Sequence, residues 1–287
     1  MAIVNFVPEI WSPALLKALR DRLTYAQAGV VNRNYEGDIA RAGDTVHITN
    51  FVDPSIRSYT KNGTITWDLL TDATQALVVD QADYFAFKVD DIDKRQALPG
   101  FVEEATTGAA YNLAKSADDY IAGLMKAGAD AGNQLGATLL TTPDEAYAML
   151  VELRTVLTRS NTPDDGRFAV VPPEVYALLL QDDRFIRADA SGTTAGLRNG
   201  QAGRAAGFDV IESNRVPETS TEAGADTSYT VIAGHSAATT YAEQIASVQA
   251  RELENTFGDG VRGLHLYGGK VIRPTLLATA EVDVDLA

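Results

Sequence analysis

The sequence predicts an α+β fold that carries a two-stranded excursion too polar at its tip to stabilise itself. Three observations lead there. Alternating apolar runs flank an Asn62-Gly63 turn, one helical period runs unbroken from about residue 101 to 127, and strand and helix signals then alternate to about residue 255. Alternation of that last kind is the mark of an α/β unit.

In chain order, Ser12-Pro13 pairs a capping residue with proline at a first helical position. Leu15, Leu16, Leu19 and Leu23 follow on one face, opposite Lys17, Arg20, Asp21 and Arg22. A short amphipathic helix is expected, docked by default on its own domain and otherwise on a neighbouring subunit. Val46 and Ile48 alternate with Thr45, His47 and Thr49, as in a half-buried strand. Asn62-Gly63, two residues that tolerate positive φ, stands between residues 56–61 and 64–67 as a hairpin turn. Leu77 and Val79, then Phe85, Phe87 and Val89, form a second pair of alternating runs. The tip itself (Ser58, Thr60, Lys61, Asn62, Thr64) is polar. An isolated ribbon is marginal in water, so this one needs a surface to lie on.

After Pro99-Gly100, the positions Val102, Ala105, Ala109, Leu113, Ala117, Ile121 and Leu124 recur at helical spacing, with Glu103 and Glu104 in the first turn and Lys126 in the last. Thr142-Pro143-Asp144-Glu145 is a capping box opening a helix with Tyr147, Leu150, Val151, Arg154 and Leu157 on its face. A strand at 168–171, a helix at 175–180 and strands at 208–212 and 229–233 follow. Glycine- and serine-rich stretches at 188–207 and 213–228 read as surface loops. Residues 261–267, Gly268-Gly269 and residues 270–273 read as a hairpin, and 276–284 as a closing strand.

Composition narrows the chemistry. The 287 residues include no cysteine, which excludes disulfides, zinc-thiolate sites and thiol nucleophiles and fits a reducing compartment. Lys and Arg number 24 against 39 acids, a net charge of −15 with no basic cluster, so specific nucleic-acid recognition is not expected. No run approaches the roughly 20 apolar residues of a membrane span, and the first residues lack the basic start of a signal peptide. A soluble protein made in the cytoplasm is expected.

No motif survives as an active site. Gly258-Asp259-Gly260-Val261-Arg262-Gly263 matches G-x-G-x-x-G, yet Leu264-His265-Leu266-Tyr267 after it alternates like a strand, so a turn is expected there and not a cofactor site. Gly269-Lys270 lacks the first glycine and the Ser/Thr of a P-loop, and Asp91-Ile92-Asp93 lacks the glycine and glutamate of a calcium loop. His47, His235 and His265 fall on separate elements. Acid pairs such as Asp118/Asp119 are adjacent, hence about 100° apart on a helix and poorly placed for acid/base work. No catalytic residue, cofactor or metal is expected.

Longer segments resemble the major capsid proteins of tailed bacteriophages, especially the coat proteins of actinobacterial phages. These are Asn5-Phe6-Val7-Pro8-Glu9-Ile10-Trp11-Ser12, residues 31–37 leading to Ala42-Gly43-Asp44-Thr45-Val46-His47-Ile48, Val79-Asp80-Gln81 with residues 84–91, and residues 257–264 with Tyr267-Gly268-Gly269-Lys270-Val271. The resemblance spans essentially the whole chain and rests on the order and number of structural motifs. It implies the Hong Kong 97-like capsid fold, with residues 1–44 an N-terminal arm and 45–92 an extended hairpin loop lying across a neighbour. Residues 93–139 would form a peripheral domain with a spine helix, 140–256 an axial domain, and 257–287 strands returning to the peripheral domain.

It further implies a virion shell of pentamers and hexamers enclosing double-stranded DNA without sequence-specific binding or membrane contact. Lys61, Asn62, Gly63, Trp67 and Trp11 are its candidate inter-subunit contacts. Neither an N-terminal scaffolding segment nor an inserted domain is seen, so a separate scaffolding protein is expected, with a portal and a decoration protein as further partners. Some relatives crosslink a hairpin lysine. Lys61 stands at the tip, but its asparagine and glutamate cannot be placed and no crosslink is expected. The competing readings are an encapsulin-like nanocompartment shell and a hydrolase using His235 or His265.

Overall fold

The helical and the alternating periodicities of the sequence become helices and strands in the computed structural model, which describes residues 23–34, 45–51, 57–59, 61, 64, 72–90, 101–182, 203–219, 228–252 and 258–284. In chain order these are β1 (Thr45–Phe51), β2 (Asp72–Val78), β3 (Gln81–Asp90), α1 (Phe101–Gly128), β4 (Gln134–Leu140), α2 (Pro143–Arg159), β5 (Arg167–Val171), α3 (Pro173–Gln181), β6 (Arg204–Ala205), β7 (Phe208–Glu212), β8 (Ser228–His235), β9 (Thr239–Glu252), β10 (Gly258–Val271) and β11 (Leu277–Val284). The helix expected at Ser12-Pro13, the Asn62-Gly63 turn and most of the loop at 188–207 lie outside the described residues.

Helix α1 is the 28-residue helix that the spacing predicts, roughly 42 Å long at 1.5 Å per residue. Ala110, Ala114, Ala117 and Ala122 share its buried side with Leu113, Ile121 and Met125. Small side chains there let a sheet approach closely. The sheet is three-stranded, in the order β3-β10-β9, and both its ladders are antiparallel.

Strand β10 corrects two sequence expectations. Neither Gly258–Gly263 nor Gly268-Gly269 turns the chain, and one strand runs through both. The glycines serve close approach. A Cβ at Gly268 would lie 2.4 Å from the Val78 carbonyl oxygen and 2.8 Å from the Val79 Cα. One at Gly269 would meet Ile121 Cδ1 of α1 at 2.6 Å, and one at Gly263 would enter the Phe85 ring. A glycine pair inside a strand marks such contacts as readily as a turn, and sequence spacing does not separate the two.

The alternating runs around Leu77 and Phe85 also part company. β2 pairs with β1, Thr45 opposite Val78 and Phe51 opposite Asp72, whereas β3 pairs with β10. The two-stranded ribbon is therefore β1–β2, a sheet of its own whose connection spans residues 52–71.

The remaining strands form a six-stranded sheet, β4-β11-β8-β5-β7-β6. β11 runs parallel to β4 and antiparallel to β8, so the last strand is an interior one. The strands after residue 257 thus divide: β10 lies against α1, and β11 enters the sheet that holds β5, β7 and β8. β9, which the sequence reading left without an element, joins β10. Chain order does not reveal such crossovers. Phe168, Val170, Ile232 and Leu277 face the α1 side, while Ala169, Val171, Val231, Ala233 and Ala278 face α2 and α3. Burial on both faces explains why β5 is an unbroken buried run, Arg167-Phe168-Ala169-Val170-Val171.

Helix α2 opens with the expected capping box. Thr142 Oγ1 accepts from the Glu145 amide, and the Glu145 carboxylate accepts from the Thr142 amide at 3.0 Å. Its buried face is Ala146, Met149, Leu150, Leu153 and Leu157, rotated from the expected one so that Val151 and Arg154 are exposed. Both faces have helical spacing, and the one that carries Met149 and Leu153 in place of Val151 and Arg154 turns inward.

Gly268→Ala is expected to lower unfolding stability by about 1–3 kcal/mol, because the added methyl meets backbone that cannot step aside. Gly123→Ala on the exposed side of α1 meets nothing within 4 Å and is expected to raise it by roughly 0.5–1 kcal/mol. Urea unfolding of the two variants checks both signs.

Candidate assembly interface

A charged residue on the apolar face of a helix needs a partner. Asp118 lies four residues after Ala114 and three before Ile121, both buried, and is itself 2% exposed. Its partner is the chain's own arm: the carboxylate accepts the amides of Thr24, Tyr25 and Ala26 at 2.8, 2.9 and 3.0 Å. Around this clamp Leu23, Tyr25, Ala26, Val30 and Val31 pack against α1. Burial pushes the Asp118 carboxyl up to about 6, with Asp119 adding to the rise, and the three amides hold it from going higher. Burial likewise pushes the Tyr25 phenol up, and among the described residues its oxygen has no hydrogen-bond partner.

A second anchor holds the far end of the segment. Asn32 bridges to Thr240: its amide donates to the Thr239 carbonyl at 2.9 Å, and its carbonyl accepts from the Tyr241 amide at 3.0 Å. The Arg33 guanidinium donates to the Ala26 carbonyl and forms an ion pair with Glu243. Glu243, on β9, also accepts from the Tyr241 hydroxyl at 2.9 Å and lies 3.3 Å from His265 Nε2. Burial alone would push the Glu243 carboxyl up; the His265 hydrogen bond and the charge of Arg33 hold it at about 2. His265 stacks on Tyr267, whose hydroxyl donates to Asp83 on β3, and Ser116 of α1 donates to the same carboxylate. Polar contacts thus tie the arm, β9, β10, β3 and α1 together. Residues 23–33 are fastened at both ends, immediately before the stretch that leads into the β1–β2 ribbon.

This cluster is structural. His265 is fully buried. His235 lies at the end of β8 in the other sheet, where its Nδ1 accepts from the Ala237 amide. His235 and His265, the alternatives of the hydrolase reading, lie in different sheets. Among the described residues no group of His, Asp and Glu is placed to hold a metal. Of the candidate contact residues, Lys61 is exposed at a turn, with Tyr59 70% exposed beside it. Asn62, Gly63, Trp67 and Trp11 lie outside the described residues. Sequence reading missed Asp118 and Glu243 as anchors. The acid within the apolar stripe of α1 was the available signal for Asp118, and nothing local marked Glu243.

A spine-like helix under one sheet, a second sheet covered on both faces, and a ribbon outside both define the Hong Kong 97-like capsid fold. The sequence profile of the phage capsid protein family matches residues 71–280. Among solved structures, a chain of Mycobacterium phage Che8 is 31% identical over 97% of this chain and 98% of its own, with a TM-score of 0.71. The capsid of cyanophage P-SCSP1u shares the fold at 14% identity, covering 87% of this chain and 85% of its own, with a TM-score of 0.68. A virus-like particle from Pyrococcus furiosus shares it at 13% identity, covering 95% and 98%, with a TM-score of 0.54. No curated protein sequence matches. The chain belongs to the phage capsid protein family.

Asp118→Ala leaves three amides without their acceptor and is expected to cost about 2–4 kcal/mol. Faster hydrogen exchange and proteolysis at residues 23–33 would accompany the loss. The two buried carboxylates give opposite pH responses. The folded chain holds the Asp118 proton more tightly than the unfolded chain, so this group's contribution is full below about pH 4 and is lost as the pH rises through about 6. The Glu243 contribution is present above its ordinary value of 4.5 and is lost as the pH falls through about 2. Urea midpoints measured from pH 4 to 7 should therefore carry a downward component that Asp118→Asn removes.

Proposed function

We propose that this chain is the major capsid protein of a tailed bacteriophage, assembling as pentamers and hexamers into the icosahedral head shell around double-stranded DNA. The observation that carries the reading beyond family membership is the ribbon. β1 and β2 pair only with each other among the described residues, and the described residues of their connection (57–59, 61 and 64) are exposed. The base of the ribbon packs on its own body, where Leu77 meets Ala242 and Leu266, and its exposed outer part gains stability by resting on an adjacent copy. Lys61, Asn62, Gly63 and Trp67 of the connection, and Trp11, are the proposed inter-subunit contacts. The clamps at Asp118 and Glu243 support the same reading, because a projecting element positions a neighbour only when its root is rigid.

The charge of −15 suits a wall that encloses DNA without gripping it. A separate scaffolding protein, a portal and a decoration protein are the proposed partners, the virion is the proposed location and the host cytoplasm the place of assembly. No catalytic step is assigned to the chain. The 31% identity to the Che8 chain favours a phage head over a nanocompartment shell.

Negative-stain microscopy of concentrated purified protein is expected to show closed polyhedral particles or rings of five or six. A chain that stays monomeric at high concentration would sink the shell reading. Small shells filled with an enzyme, in place of DNA-filled heads in the native source, would favour the nanocompartment.

A further inference from the structure

No basic cluster runs along the sequence, yet the β3-β10-β9 register assembles one in space. Alternate residues of a strand share a face, and residues opposite one another across an antiparallel ladder share it too. One face of this sheet lies toward α1, and Asp83 and Phe85 belong to it: Asp83 accepts from Ser116, and Phe85 packs on the core around the helix. The other face carries Ala82, Tyr84, Ala86 and Lys88 of β3, all exposed. There Arg262 stands opposite Ala86 and Gln249, and Gly260 opposite Lys88 and Arg251.

Lys88, Arg262 and the backbone of Arg251 therefore occupy two consecutive rows of one face, a triangle roughly 8–10 Å on a side. The next row outward holds Asp90 opposite Gly258, so acid enters this face only beyond the cations. Inward the face ends where Leu264 and Leu266 meet the ribbon base at Leu77 and Val79.

Among the described residues neither Lys88 nor Arg262 has an acid at ion-pair distance. The Arg262 guanidinium is held in place all the same, its Nε and one terminal nitrogen donating to Gln249 Oε1 at 3.1 and 2.6 Å. Gln249 is neutral, so it orients the group without compensating its charge, and the remaining N–H donors stay open. A fixed guanidinium with open donors matches a carboxylate, which accepts two parallel bonds. Tyr84, 77% exposed, lies opposite Leu264 and gives the patch an apolar half. Tyrosine and arginine are the residues that interfaces favour.

We propose that this open face, centred on Lys88 and Arg262, docks an acidic surface of a second copy of this chain. The proposal rests on the shell reading above, and charge chooses the occupant. Each copy carries −15, so copies packed in a shell repel one another except where such a face meets carboxylates. Nucleic acid is the weaker match, because so few cations displace few counterions and the rest of the chain repels phosphate.

The double variant Lys88→Gln/Arg262→Gln of the full-length chain removes both charges at exposed positions, so its urea midpoint should stay with that of the wild type. At low salt the concentration at which half the protein assembles, read by sedimentation, is expected to rise about ten-fold. At about 1 M salt, where the screening length falls to about 3 Å, the gap between variant and wild type should close. A variant that assembles like the wild type at low salt overturns the inference. A loss that salt does not reduce overturns it too, because it marks a contact of shape and not of charge. Both outcomes leave the shell reading intact.

If the variant does not fold, electron cryo-microscopy of wild-type particles decides. Carboxylates of a neighbouring copy against Lys88 and Arg262 uphold the inference; solvent, nucleic acid or a different polypeptide over that face overturns it. Wild-type protein that forms no particles removes the shell reading and this inference together.

Discussion

One buried carboxylate and three consecutive amides fix where the segment from Leu23 to Arg33 meets α1. Asp118 stands on the inner face of α1, where a charge without partners would be costly, and the amides of Thr24, Tyr25 and Ala26 compensate it. The dependence is mutual. The arm segment has no sheet of its own at that point, so its amides need an acceptor, and the helix needs donors for its acid. Packing of Leu23, Tyr25, Val30 and Val31 around the pair excludes water and makes each contact worth more. From that fixed root the chain passes over β9, is held again by Arg33 and Glu243, and continues toward the ribbon.

The second constraint is the closeness with which α1 and the β2–β3 connection approach β10. Gly263, Gly268 and Gly269 remove side chains where Phe85, the Val78–Val79 backbone and Ile121 arrive. This lets one 14-residue strand act as a common wall for the ribbon's base, the edge strand β3 and the long helix. The polar series from Arg33 to Ser116 runs across the same wall.

Legibility in the sequence followed the range of the interaction. α1 was readable because its period repeats over 28 residues, and the α2 cap because Thr142 and Glu145 satisfy each other within one turn. The burial phase of α2 was not, since two overlapping faces share helical spacing and the β-sheet beneath chooses between them. β9 and β10 were misread or missed for a related reason. A glycine pair reads as a turn until the surface that presses on it is known, and the partner of β2 is set by a connection of twenty residues.

By itself, then, the sequence determined what short-range physics controls: helix lengths and caps, the polar tip of a ribbon, the exclusion of thiol and zinc-thiolate chemistry, and the order of motifs that resembles the phage coat proteins. Tertiary structure alone decided which strands neighbour one another, that β11 enters the middle of the six-stranded sheet, and that Asp118 and Glu243 serve the arm. The two anchors alone depend on residues 92 to 210 positions apart meeting in space. Such contacts are selected by the burial of whole surfaces, and no local pattern records them.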